Sequence, residues 1–149
     1  MEFKIGDRFV GDNYPVFIVA EMSCNHLQKY DYAVEIIKKA KDAGADAIKL
    51  QTYTPDTMTI DCNNEYFRLD ETIWEGKNLY QLYKEAYTPW EWQPKLKKIA
   101  EEEGLIFFST PFDRTSVDFL EELDVPVHKV ASYEITDIPL IDYIASKRK

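Results

Sequence analysis

Residues 30–51 read YDYAVEIIKKAKDAGADAIKLQ, and two periodicities meet inside this stretch. From Tyr30 to Ala43, the residues Ala33, Ile36, Ile37 and Ala40 recur at helical spacing, which marks one face of an amphipathic helix that Gly44 ends. Ala47-Ile48-Lys49-Leu50-Gln51 then reads as a strand, with Lys49 and Gln51 two apart and so on one face. A helix running straight into an apolar strand is the repeating unit of an α/β fold, whose strands pair in parallel through helical crossovers.

The same alternation extends in both directions. Upstream, Phe3 to Val10 is two short alternating runs around Gly6-Asp7, a predicted hairpin. Pro15 then introduces Val16–Ala20, a continuous apolar run expected to be a strand buried on both faces. Downstream, a polar and aromatic stretch from Tyr53 to about Lys77 precedes a helix starting near Asn78. Thr88-Pro89-Trp90-Glu91 has the form of a capping box, with Thr88 as N-cap of the next helix. Leu105–Phe108 is the third predicted strand and Val125–Val130 the fourth; Asp113 and Asp137 are the N-caps of the helices that follow.

The resulting order, β-α-β-α-β-α-β-α, is half of an eight-unit barrel or a small doubly wound sheet. A whole barrel takes about 250 residues, and the last helix runs to Lys149 without a Gly or Pro stop. The expectation is a fragment, with a complete four-stranded α/β domain as the alternative.

Composition narrows the function. With 45% hydrophobic and 30% charged residues the chain reads as an ordinary soluble domain rather than a disordered one. No apolar run is long enough to cross a bilayer, and Met-Glu-Phe-Lys is no secretory start. The cytoplasm is the expected location, and no membrane partner is expected. A net charge of −9 argues against nucleic acid. Two cysteines, Cys24 and Cys62, make neither a disulfide framework nor a zinc motif.

The informative residues are polar groups at predicted strand ends, where parallel α/β folds carry their chemistry. Glu21 follows the first such strand and Lys49 with Gln51 lies on the second. Ser109 and Thr110 close the third; Lys129 and Ser132 close the fourth, with Glu134 just beyond. A buried lysine needs an anionic partner. For Lys49 that partner is either an internal carboxylate, Glu21 or Glu134, or a bound anion shared with Lys129. His26 fits a loop role better than a ligand role, and His128 alternates away from Lys129 as a structural residue. The aromatic residues from Trp74 to Trp92 suit helix packing, although Trp74 and Tyr53 could line a sugar pocket.

At these residues the sequence resembles the sialic acid synthase family. Val19–His26, Gly44–Tyr53, Phe108–Asp113 and His128–Thr136 are similar, in order, to that family's first four strand signatures. Within it, Leu50–Thr59 and Trp74–Lys77 most resemble the pseudaminic acid branch. The resemblance implies a (β/α)8 barrel of which residues 1–149 form the N-terminal four βα units, preceded by a hairpin. The second half of the barrel and a C-terminal antifreeze-like domain, supplied by the partner subunit of a homodimer, would lie outside these residues.

The implied reaction joins phosphoenolpyruvate to an N-acetylated amino hexose, giving a nine-carbon 2-keto acid and phosphate. On this resemblance Glu21 and Glu134 are catalytic, while Lys49, Lys129, Ser132 and Thr110 bind phosphoenolpyruvate. Gln51, Asn25 and Tyr53 bind the sugar. A divalent metal, Mn²⁺ or Mg²⁺, is implied with its ligands outside this chain. The alternatives are a synthase for N-acetylneuraminate, legionaminate or a spore-coat sugar acid, a non-catalytic half-barrel, or a Schiff-base aldolase barrel. An isolated half-barrel leaves two sheet edges unpaired, so this polypeptide alone is expected to be inactive.

Overall fold

The computed structural model describes residues 2–70 and 73–149. The chain opens with an antiparallel hairpin, β1 (Glu2–Ile5) and β2 (Arg8–Gly11). Gly6 turns it with φ +60°, a conformation glycine adopts without strain, and packs on the Ile106 side chain. Arg8 donates to the Asp46 carboxylate at 2.7 Å, and that carboxylate also accepts from the Ile18 N–H at 2.8 Å. The hairpin is thereby fastened to residues at the starts of later strands, at the end of the sheet opposite the predicted chemistry.

The sheet has three parallel strands in the order β3 (Val19–Glu21), β4 (Ala47–Thr52), β5 (Ile106–Pro111). Between them run α1 (Tyr30–Asp42), the one-turn α2 (Pro55–Met58), α3 (Leu79–Ala86) and α4 (Gln93–Glu102); α5 (Arg114–Glu122) and α6 (Ile138–Ser146) follow β5. This is the α/β order of a partial barrel, as the sequence predicts. Alternation along β4 sets its two faces. Ile48 and Leu50 are fully buried, in a core with Ala33 and Ile37 of α1, Leu96 and Ala100 of α4, Phe107 of β5 and Leu120 of α5. Lys49 and Gln51 point the other way and are only half-buried.

Three expectations need correction. Val16–Ala20 is not a strand buried on both faces: the strand is Val19–Glu21, and Val16 is 81% exposed, because β3 is an edge with a partner on one side. The fourth strand is a single parallel bridge, Ser109 to His128, with the Lys129 N–H donating to the Ser109 carbonyl at 3.2 Å. Pro126, which has no N–H to give a ladder, stands at the start of this segment. Thr88 is no N-cap: it is buried, Pro89 precedes a 3₁₀ turn at Trp90–Trp92, and α4 begins at Gln93. Asp113 and Asp137 cap their helices as expected, accepting from the N–H groups of Ser116 and Leu140, and Asn78 caps α3 by accepting from the Gln81 N–H.

Candidate active site

Strand register brings the polar residues to one face. Glu21 pairs with Lys49 and Lys49 with Phe108, while Gln51 pairs with Thr110. Paired residues of a parallel sheet share a side, so Glu21, Lys49, Gln51 and Thr110 face away from the helices. His128 shares the opposite, helix-facing side with Ser109, and its Nε2 meets Glu121 of α5 at 2.6 Å. Lys129 therefore returns to the side of Thr110.

Lys49 contacts the Glu21 carboxylate through Oε2, while the other oxygen accepts from the Ser23 N–H at 3.1 Å. The internal ion pair considered from sequence is thus formed. Its ammonium is nevertheless poorly solvated, with the side chain 15% exposed. Burial, and then the like charge of Lys129, pull Lys49 down to about 8, against the attraction of Glu21. The two ammonium groups share one sheet face, on either side of β5.

Gln51, Tyr53, Lys129 and Ser132 line one cleft of about 240 Å³, with Met58, Tyr83, Phe112, Ala131 and Tyr133 as its other walls. Beside Gln51, Thr110 is 2% exposed, and its Oγ1 is buried without a hydrogen-bond partner. Tyr53 is fully packed, its ring edge-on to Tyr83 at 5.7 Å and to Phe112 at 5.5 Å. Glu134 ends the 3₁₀ turn that Ser132 begins. Burial, followed by the Asp137 charge, raises its carboxyl above the usual range. Asn25 is not brought to this cleft. It borders a separate groove between β3 and α1, and its amide donates to the Met22 carbonyl at 3.0 Å.

The loop that carries Glu21 is held from behind. His26 is fully buried; its Nδ1 accepts from the Gln28 N–H at 3.1 Å, so its Nε2 carries the proton and donates to Thr88 Oγ1 at 3.1 Å. Burial lowers its pKa, which keeps the ring neutral. The Gln28 amide donates to the Glu85 and Tyr87 carbonyls at the end of α3. Within this loop Ser23, Leu27 and Gln28 all have positive φ, a strained set that these bonds maintain.

Met58, Tyr83 and Phe112 were not singled out in the sequence as site residues. Phe112 had a legible signal, being one residue beyond the end of β5. Tyr83 looked like helix packing, and Met58 lay in a stretch with no period.

A divalent metal does not fit the residues present. Both histidines are committed, to Thr88 and Gln28 and to Glu121, and Glu21 is engaged by Lys49. Among the described residues no three of His, Cys, Asp and Glu converge as a donor set. Also among the described residues, no helix is long and apolar enough to cross a membrane.

Comparison with known proteins places this geometry. The chain is 43% identical over 134 residues to a pseudaminic acid synthase of Campylobacter jejuni, an alignment that takes in 90% of this chain but 39% of that protein. The structure of N-acetylneuraminic acid (sialic acid) synthetase from Leptospira borgpetersenii, solved with citrate, superposes with a TM-score of 0.80 at 33% identity, covering 98% of this chain and 46% of the other. The spore coat polysaccharide biosynthesis protein SpsE of Bacillus subtilis gives 0.77 at 34% identity, over 100% of this chain and 38% of its own. The chain thus spans about two fifths of the relatives it matches. The NeuB family matches residues 36–149, from the middle of α1 through every candidate strand end past Glu21, and to the NeuB family this chain belongs.

Proposed function

We propose that this chain supplies the donor-binding part of an active site that condenses phosphoenolpyruvate with an N-acetylated amino hexose, as in a pseudaminic acid synthase. The observation that carries the reading is the pair Lys49 and Lys129, which share one sheet face on either side of β5, the charge of Lys129 lowering Lys49. Two crowded ammonium groups are costly unless an anion lies between them. Phosphoenolpyruvate has a carboxylate and a phosphate on a three-carbon frame and suits such a clamp. Thr110 and Ser132 donate to the same oxygens, which gives the orphaned Thr110 hydroxyl a partner.

In this reading C3 of the donor attacks the sugar aldehyde carbon to form the new C–C bond, and the aldehyde oxygen takes a proton. Water adds at C2 and phosphate leaves, giving the nine-carbon 2-keto acid. Glu134, its carboxyl raised above the ordinary carboxylate range by burial and Asp137, is the group that gives the aldehyde oxygen its proton. Glu21 orients water, and Gln51, with Tyr53 behind it, holds the acceptor. Any divalent cation would draw its ligands from residues outside this chain, and its partner in a homodimer would complete the sugar site.

Calorimetric titration of the 149-residue chain with phosphoenolpyruvate tests the clamp: binding is expected, and Lys129→Met should weaken it about tenfold or more. No binding would remove the reading. In a coupled phosphate-release assay with donor and hexose the chain alone is expected to show no turnover. The lowered Lys49 also suits Schiff-base chemistry. Borohydride trapping with pyruvate should leave Lys49 unlabelled, and a labelled Lys49 would favour an aldolase instead.

A further inference from the structure

The cleft that holds Lys129 is chemically two-sided. Gln51, Lys129 and Ser132 bring charge and hydrogen-bonding groups to its lining, and Met58, the Tyr83 ring and Phe112 bring carbon. Two of these three, Met58 and Tyr83, come from the excursion between β4 and α4, which contributes no strand to the sheet among the described residues. We infer that Met58 and Tyr83 form an apolar wall against which the acceptor lays a methyl-bearing substituent, so that these two residues set acceptor choice. This rests on the proposal that Lys129 grips the donor in the same cleft.

The wall is built before any ligand arrives. Tyr83 packs edge-on against Tyr53, whose backbone carbonyl accepts from Trp90 Nε1 at 3.0 Å. Tyr80, on the same helix as Tyr83, donates its hydroxyl to Asp56 of α2 at 2.9 Å, tying α2 to α3. Met58 is the last residue of α2, and its unbranched thioether can adjust to a methyl group. Burial, then Tyr133 and Glu134, raise the Tyr83 phenol, so it stays neutral and adds no charge to the wall. A hydroxyl or phosphate pressed against Met58 or the face of the Tyr83 ring would lose water without gaining a partner, whereas an acetamido methyl loses nothing polar.

Saturation-transfer NMR on the 149-residue chain with phosphoenolpyruvate present reads this directly, using N-acetylmannosamine and mannose as probes. The acetyl methyl is expected to take the strongest saturation. Met58→Ser should lower the preference for N-acetylmannosamine over mannose about fourfold, the loss of one methyl contact. Tyr83→Ser should do the same and Tyr83→Phe, which keeps the ring, should not. Thermal melts of each variant report whether it is folded. An unchanged preference in a folded Met58→Ser or Tyr83→Ser protein, or saturation no stronger at the acetyl methyl than on the ring, overturns the wall and leaves the clamp standing. Failure of phosphoenolpyruvate to bind overturns the clamp, and the wall with it.

Discussion

Lys49 is held between opposing influences: burial and Lys129 push its proton off, and Glu21 keeps it on. Its pH dependence follows from the direction of the net shift. With a folded value near 8 against an ordinary 10.5, the folded chain releases this proton first. The burial penalty is therefore fully present below pH 8 and fades between 8 and 10.5, so this residue's contribution to stability rises across that window. Anion binding runs the other way, since the clamp needs the ammonium. Phosphoenolpyruvate affinity should fall as pH climbs past about 8, with proton uptake on binding visible as a buffer-dependent heat in calorimetry. Thr110 offers a cleaner separation of fold from function. Thr110→Val removes a buried hydroxyl that has no protein partner, so the melting temperature should hold or rise while phosphoenolpyruvate binds more weakly. Both residues were legible in the sequence because a polar side chain in an apolar strand stands out; Asn25 was named by motif alone, and its loop turns it into another groove.

Elements were readable where local signals agreed and misread where a distant partner intervened. Asp113 caps α5 by accepting from the Thr115 and Ser116 N–H groups; Asp113→Ala should cost about 1 kcal/mol in chemical denaturation. Thr88-Pro89-Trp90-Glu91 carries an equally good cap signature, yet Thr88 gives its oxygen to His26, 62 residues away in sequence. Local pattern could not report that demand. Thr88→Val leaves the His26 N–H buried without an acceptor and should cost about 1–3 kcal/mol in the same measurement. His26 also has its folded pKa below its ordinary 6.5. Its contribution is present above pH 6.5 and is lost as pH falls through the lower folded value. Acid unfolding should therefore flatten in His26→Gln.

For the molecule as a whole, the parallel order came from helix and strand periods, while the strength of each pairing did not. Val125–Val130 has a strand's composition but forms one bridge, with Pro126 at its start, and the stretch from Tyr53 to about Lys77 has no period to read at all. The edge at β3 exposes Val16, Ile18 and Val19, so sedimentation velocity on the 149-residue chain should show mass rising with concentration, and Ile18→Lys should shift it toward monomer. The fastening of the hairpin to Asp46 and Ile106 has a temporal consequence. Arg8 of the hairpin holds to Asp46, 38 positions later in the sequence, and Gly6 lies against Ile106, 100 positions later. The hairpin therefore locks only after partners made later are in place, and a nascent chain arrested before Ile106 would leave it dangling and protease-sensitive.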